Sequence, residues 1–415
     1  MSEYRFQRKL VQVEEAQQTI LSYARPLNTE EIALEESFGR RLAEPVAASH
    51  PVPHFRRSGV DGYAVHAADS EAASPGQPVA LQVTETIPCG AVPVHAVKRG
   101  QAARIMTGAI VPDGADAVIM LEMTEPSGDK VNIRKRMAPD ENISPVGHEM
   151  RYNDPLLQPG RTIGPGEAAL LATFGYKTVR VYRKPRVGIF STGTELLEVG
   201  QPLEAGKIRN SNSYMLACQV QEAGGIPLIM PVLPDEPDVV EAALLAAMQH
   251  ADVIVTSGGV SVGDKDVLVD LFERWDGTLL FNKVAMRPGS PTSAGIWRDK
   301  PLFALSGNPG ASFVGFELFV RPYLRALLGY TTAVHREIQC FLETDYSKGS
   351  AYPRYVRGTM TYRDGSVFVQ PAGKDKSSIM VSIKDAECLI CIPAGGRGAS
   401  DGDSVRVILL KEPSA

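Results

Sequence analysis

Three turns built from Gly with Ser or Thr each follow a short apolar run in the second half of the chain. They are Ser191-Thr192-Gly193-Thr194-Glu195, Ser257-Gly258-Gly259-Val260-Ser261-Val262-Gly263 and Ser306-Gly307-Asn308-Pro309. At the carboxyl end of a parallel strand, small residues let backbone N–H groups approach an anion closely, so the pattern suits a phosphate-type ligand. Four carboxylates fall at the same strand ends: Glu195, Asp235, Asp264 and Asp266. Hard cations take oxygen ligands and commonly bridge carboxylates to phosphates, which makes these four the candidate magnesium ligands. Lys283 and Arg287 supply positive charge nearby in the sequence, the first as a point charge and the second as a bidentate fork. One such turn is ordinary loop chemistry. Three of them, each with acids beside it, point to an anion site.

The elements that must position these turns follow from the spacing of apolar residues. Strands are expected at 187–190, 227–233, 253–256 and 302–305, where β-branched and large apolar residues run together. Between them, 213–220 has apolar residues three and four apart, with Ser213 as N-cap and Gly224-Gly225 as the stop. A second helix is expected to open at Asp238 and run to Met248. Alternation of strands with helices predicts a doubly wound α/β unit over about residues 184–329.

Residues 11–42 have helical periodicity on both sides of Arg25-Pro26, so Glu14–Leu21 and Glu30–Glu36 both read as helices. From about His50 to Gly147 the runs are short and rich in Val, Pro and Gly, which predicts a mainly β module. Helical character returns at 166–175, so the β module reads as inserted into a small discontinuous domain. Beyond Gly329 the pattern alternates, and Asp364-Gly365 lies between Thr361-Tyr362-Arg363 and Ser366-Val367-Phe368-Val369 as a two-residue hairpin turn. A C-terminal β-barrel or sandwich is expected there.

Composition bounds the function. A chain of 415 residues has room for about three domains, and 44% hydrophobic with 22% charged residues is the balance of a soluble globular protein. A formal net charge of -5 gives no general attraction to nucleic acid or to an acidic membrane face. The amino terminus lacks the apolar stretch of a signal peptide and no run reaches membrane-spanning length, so a cytoplasmic location is expected. Five scattered cysteines make no disulfide framework. Cys388 and Cys391 have the spacing of a metal half-site, but their apolar run has no second pair or nearby His, and core packing is the expected role.

Within the β module, Ser58-Gly59-Val60-Asp61-Gly62-Tyr63-Ala64 puts an acid in a tight turn before a strand, and Arg104-Ile105-Met106-Thr107-Gly108-Ala109 puts a hydroxyl and a Gly after one. Taken with the three turns above, these segments resemble the molybdopterin molybdenumtransferase family, known as MoeA in bacteria and related to the gephyrin E domain. The resemblance covers nearly the whole chain, and the order of the five motifs is far more specific than any one of them.

The resemblance implies four domains: a discontinuous N-terminal domain (1–49 with 148–182), an inserted mainly β domain (50–147), a molybdopterin-binding α/β domain (183–330) and a C-terminal β-barrel (331–415). It implies a homodimer that takes adenylylated molybdopterin and molybdate, releases AMP and inserts molybdenum into the pterin dithiolene with Mg2+ assisting. Asp61, Glu195, Asp235 and Asp266 carry over as catalytic positions, with Glu195, Asp235 and Asp266 on the metal. Thr107, Ser191, Thr192, Gly193, Ser257, Gly258, Gly259, Ser261, Lys283, Arg287, Ser306, Gly307, Asn308 and Pro309 carry over as substrate-binding positions. In the family the site lies between subunits, the inserted domain of one facing the α/β domain of the other. The molybdopterin adenylyltransferase and apo-molybdoenzymes are the implied protein partners. Arg287 stands where many relatives carry Lys and Ser290 where many carry a second Lys, so one cation fewer is expected to weaken oxyanion affinity. Two other classes are weighed: an adenylyltransferase, whose fold resembles the α/β domain but which needs no inserted module or barrel, and a non-catalytic pterin-binding scaffold, against which Asp61, Glu195 and Asp266 argue.

Overall fold

The computed structural model describes residues 9–260 and 267–410. Ser261, Asp264 and Asp266 therefore lie outside the described residues. The chain forms two compact units, one of residues 1–44, 159–169 and 176–415 and the other of residues 45–158 and 170–175.

The first unit is organised by a six-stranded sheet in the order Ile226–Ile229, Arg186–Ser191, Val253–Ser257, Lys300–Leu305, Ser293–Trp297, Thr278–Phe281. The first four strands are parallel and the last two antiparallel. Alternate side chains enter two separate cores, because successive Cβ atoms leave a strand on opposite faces. Val187, Ile189, Val253, Val255, Phe303 and Leu305 meet helices Val13–Tyr23 and Asn212–Glu222 on one face. Phe190, Ile254, Leu302 and Ala304 meet helices Pro237–Met248 and Val267–Arg274 on the other. Apolar demand on both faces explains why these strands read as unbroken hydrophobic runs.

Beyond the sheet, strands Glu337–Leu342, Ser366–Pro371, Arg354–Arg363, Cys388–Ile392 and Ser404–Leu409 close into a barrel. Its hairpin turns at Asp364 and Gly365, both at positive φ, as the Asp-Gly pair requires. Cys388 and Cys391 are buried in this barrel, and burial pushes both thiols up to about 12. Neither is a thiolate at neutral pH, so both behave as small core residues.

Three local expectations are corrected. Residues 29–36 are not helical: Thr29–Ala33 is a strand paired antiparallel with Thr178–Tyr182, followed by a single 3-10 turn at Leu34–Glu36. The Glu-rich run favours a helix locally, but pairing with a strand containing buried Val179 and Val181 overrides so short a preference. Ser213 does not cap its helix, which begins at Asn212, and its hydroxyl is instead 2.9 Å from Ser191 Oγ. Asp238 is the second residue of its helix, after Pro237, and pairs with Arg274 at 2.8 Å.

One helical run carries an unusual charge cluster. Helix Pro309–Gly315 passes through a π turn at Phe316–Val320 into Arg321–Leu327. Glu317, on the π turn and 1% exposed, accepts from Arg321 Nε at 2.6 Å and Gln219 Nε2 at 2.6 Å, and lies 2.9 Å from His335 Nε2. Burial works to raise the Glu317 carboxyl, but Arg321 and His335 outweigh it and hold the group down to about 2.

The second unit has a six-stranded sheet ordered Ala117–Met120, Gly62–Val65, Gln101–Ile105, Val79–Ile87, Lys130–Ile133, Thr124–Ser127. It too buries both faces, with Tyr63, Val65, Ile119 and Val131 on one and Ala64, Ile87, Ile105 and Val118 on the other. Gly62 opens the strand after Asp61 where neighbouring backbone comes very close: a Cβ there would lie 1.9 Å from the Ile119 carbonyl oxygen. Only Gly fits that crossing.

Two outcomes are expected. Gly62→Ala forces neighbouring backbone apart and lowers unfolding stability by about 1–3 kcal/mol, measured by chemical denaturation. For the charge cluster, the depressed Glu317 carboxyl contributes stability that is complete above its ordinary value of 4.5 and is lost as pH falls toward about 2. Glu317→Gln is therefore strongly destabilised at pH 7, leaving Arg321 with Glu222 as its only carboxylate partner among the described residues. Its deficit against wild type shrinks by about 3 kcal/mol between pH 5 and 2. A deficit that does not change with pH would show that the Glu317 charge contributes nothing.

Candidate functional site

In the first unit the three Gly-rich turns leave adjacent parallel strands and are joined by backbone hydrogen bonds. Thr192 N–H donates to Ser257 O at 3.1 Å, and Gly258 N–H donates to Leu305 O at 3.0 Å. Gly193 N–H donates to Leu233 O at 3.2 Å, bringing the segment before Asp235 alongside the first turn. The structure thus assembles Ser191, Thr192, Gly193, Ser257, Gly258, Gly259, Ser306, Gly307, Asn308 and Pro309 at one end of one sheet.

The glycines are required by the closeness of this assembly. Gly258 has φ +105, and a Cβ on it would lie 2.7 Å from Thr192 O; Gly193 has φ +143, and a Cβ there would meet the Glu195 carboxylate at 2.5 Å. The Glu195 side chain therefore folds back over its own turn. Glu195 and Asp235 are both exposed, as ligands for a solvated cation must be. Among the described residues no three His, Cys, Asp or Glu side chains cluster as a metal site. Glu195 and Asp235 are donors of the right chemistry for Mg2+, and the third expected ligand lies outside the described residues.

Beneath the turns lies a buried polar layer that the sequence reading passed over. Ser191 Oγ donates to Asn210 Oδ1 at 3.0 Å, Asn210 Nδ2 donates to Ser213 Oγ at 3.0 Å, and Asn212 Nδ2 donates to Ser257 Oγ at 2.8 Å. The alternating small polar run Asn210-Ser211-Asn212-Ser213 ahead of a helix is the signal that marks it. Thr192 Oγ1 and Asn212 Oδ1 are buried in this layer with no partner.

The cations divide. Lys283 is half-buried on a two-residue strand paired with Leu10–Val11. Arg287 is exposed, and its backbone pairs with the barrel: Arg287 N–H donates to Pro353 O at 2.9 Å and Tyr355 N–H donates to Arg287 O at 2.8 Å. Ser290 is buried and donates to Val284 O at 2.7 Å, so it holds the loop together.

A further cation comes from the barrel. Arg357 is 2% exposed and donates to Ser382 Oγ at 3.1 Å, Lys376 O at 3.2 Å and Gly310 O at 3.3 Å, just past Pro309. All three acceptors are neutral. Burial pulls the guanidinium below its ordinary value, and Asp375 offsets part of that. Gly310 N–H donates in return to Ser377 O at 2.8 Å. A buried guanidinium bonded only to neutral oxygens creates a positive potential beside the third turn. No local pattern in the sequence marks it, since its partners lie 19 to 47 residues away.

In the second unit Thr107 N–H donates to Asp61 Oδ1 at 2.8 Å. The two loops are clamped on either side, Gly108 N–H to Ser58 O at 2.8 Å and Ser58 N–H to Ala109 O at 2.9 Å. Asp61 and Thr107 are thus brought together, and both are exposed.

Comparison with known proteins agrees along the whole chain. Family models match at residues 11–175 (MoeA N-terminal region, domain I and II), 188–326 (probable molybdopterin binding domain) and 341–410 (MoeA C-terminal region, domain IV). The molybdopterin molybdenumtransferase of Bacillus subtilis is 44% identical over 406 residues, covering 97% of this chain and 94% of the relative. Its namesake from Staphylococcus aureus is 39% identical over 408 residues, covering 98% and 97%. The crystal structure of the molybdopterin biosynthesis moeA protein from Pyrococcus horikoshii OT3 superposes with a TM-score of 0.83 at 31% identity, covering 97% of this chain and 100% of that one. With family models along most of its length, relatives 39–44% identical over nearly all of it and a solved structure of the same fold, the chain belongs to the molybdopterin molybdenumtransferase (MoeA) family.

Proposed function

We propose that this protein inserts molybdenum into molybdopterin: adenylylated molybdopterin and molybdate enter, the phosphoanhydride bond is cleaved, AMP leaves, and the metal is retained on the pterin dithiolene. The observation that carries this reading is the hydrogen-bonded convergence of three Gly-rich turns at one end of one sheet, in a chain related over 97% of its length to an enzyme of that name. Backbone N–H groups of the turns, with Lys283, hold the pterin phosphate. Ser191 and Ser257 keep the turns in register from below.

Molybdate is a tetrahedral dianion and needs cations and N–H donors. Arg357 and Arg287, one buried at the third turn and the other exposed on the loop paired with the barrel, favour that oxyanion. With Arg357 present, the Ser290 position costs less oxyanion affinity than a count of loop cations suggests.

Glu195, Asp235 and Asp266 would hold Mg2+, which when bound neutralises the pyrophosphate and polarises it toward cleavage. The remaining work belongs to the chain: the turns orient the phosphate, and the exposed Asp61, fixed by the Thr107 amide, is the carboxylate that the second unit contributes. The working form is a cytoplasmic homodimer in which Asp61 of one chain serves the turns of the other, receiving its pterin nucleotide from an adenylyltransferase and passing cofactor to apo-molybdoenzymes. Within each chain the four divisions 1–49 with 148–182, 50–147, 183–330 and 331–415 are the domains of this reading. Among the described residues no helix is long and apolar enough to cross a membrane.

Incubation with adenylylated pterin, molybdate and Mg2+ should release AMP and leave metal on the pterin, followed by chromatography and elemental analysis. Turnover of ATP with free molybdopterin in its place would identify an adenylyltransferase instead. Asp266→Asn should greatly reduce metal-dependent AMP release with the fold intact, since an amide lacks the anionic oxygen a hard cation needs. Wild-type rates at limiting Mg2+ would remove Asp266 from the metal.

The division of the site between chains has its own test. Homodimers of Asp61→Ala and of Asp266→Ala should each be nearly inactive. Refolding the two together in equal amounts should restore about a quarter of wild-type activity, because half the dimers then carry one intact site of two. No recovery, with mixed dimers verified by mass, would mean each site is built within one chain.

A further inference from the structure

Helix Asn212–Glu222 begins directly beneath the turns, and its first residue has no assigned role. Asn212 is 9% exposed, and Nδ2 donates twice, to Ser257 Oγ at 2.8 Å and to Gly307 O at 2.8 Å. The Gly307 carbonyl can only accept, so the amide cannot be reversed in place. That orientation leaves Oδ1 buried with no donor. A buried acceptor without a partner destabilises the fold, so the two bonds that Nδ2 makes are what hold the amide in this orientation.

The two acceptors belong to different turns. Ser257 opens the second and Gly307 lies in the third, and Ser257 Oγ also donates to Ser306 O at 3.3 Å. Other geometry agrees that these turns approach closely: a Cβ on Gly307 would lie 3.5 Å from Gly258 Cα. Backbone bonding between the strands ends at Gly258 N–H to Leu305 O. Past that point, Asn212 spans the gap that the sheet no longer bridges.

We infer that Asn212 is a positioning residue for the transfer reaction: its amide fixes the distance between the Ser257–Gly259 and Ser306–Pro309 turns, so that the N–H groups of both address one phosphorylated ligand. This rests on the function proposed above. The unpartnered oxygen is the cost of pointing the nitrogen at both turns, and Leu in its place would remove that cost together with the tie.

The test compares wild type with Asn212→Ala and with Asn212→Asp, which keeps the size but turns an acceptor toward the Gly307 carbonyl. Amide hydrogen exchange in peptides covering the two turns should quicken in both variants, and this readout does not depend on which reaction is catalysed. In the AMP-release assay kcat/KM should fall about ten-fold in Asn212→Ala, the scale of the lost hydrogen bonds, with the midpoint of thermal unfolding nearly unchanged because the unpartnered oxygen goes with the tie. Asn212→Asp, which buries a carboxylate against a carbonyl, should lose more activity and unfold at a lower temperature. Asn212→Ala combined with Ser257→Ala should lose little more than the worse single variant, because both act on one turn. Unchanged exchange, wild-type kcat/KM, or losses that multiply in the double variant would each overturn the inference. A wild-type protein that releases no AMP would instead overturn the functional reading, with the exchange result still deciding whether Asn212 ties the turns.

Discussion

The site depends on a ladder that outlasts its strands. Thr192 to Ser257 and Ser257–Gly258 to Leu305 are hydrogen-bonded in the same register as the parallel strands before them, after the large apolar side chains have given way to Gly and Ser. Continuing the ladder by one bond into each turn ties the first loop residues to the sheet, and N–H groups held in place bind an anion without having to be ordered first. The small residues permit this closeness. Nothing larger than hydrogen fits on Gly258 or Gly193 without moving Thr192 or Glu195.

Much of this was legible in the sequence, for a physical reason: a strand buried on both faces must be apolar throughout, and a turn at positive φ must be Gly or a small polar residue. Those rules act on adjacent residues, so Val253–Ser257 and the turn after it could be read directly. What was missed acts between distant ones. Glu30 to Glu36 carries a helix-forming composition, and only the strand Thr178–Tyr182, well over a hundred residues away, makes 29–33 extended. Arg357 looks like any barrel arginine until the barrel delivers it to Gly310. A shorter-range bond was equally hidden, that of the Ser290 hydroxyl to Val284 O.

The polar layer under the turns and the charge cluster at Glu317 treat buried polarity differently. Glu317 is surrounded by donors until its charge is satisfied, with Arg321, His335 and Gln219 all converging on one carboxylate. Asn212 and Thr192 instead leave polar atoms unmet close to the ligand end of the sheet. The cluster too keeps buried atoms without a partner, Gln219 Oε1 and His335 Nδ1, but its carboxylate charge is met, and a charge is the group most expensive to leave alone. The helix Asn212–Glu222 joins the two regimes, with Asn212 at one end and Gln219 near the other.

The larger core of the first unit gathers Val11, Val13 and Ile20 from the start of the chain, the central sheet, and Leu389, Ile408 and Leu410 from its far end. During synthesis on the ribosome that core cannot close until the last of these has emerged. Until then that core is only part-built, and exposed apolar surface of this kind is what chaperones bind. Truncation close to Leu410 would thus reach beyond the barrel, taking apolar residues from a core that the central sheet and its helices share.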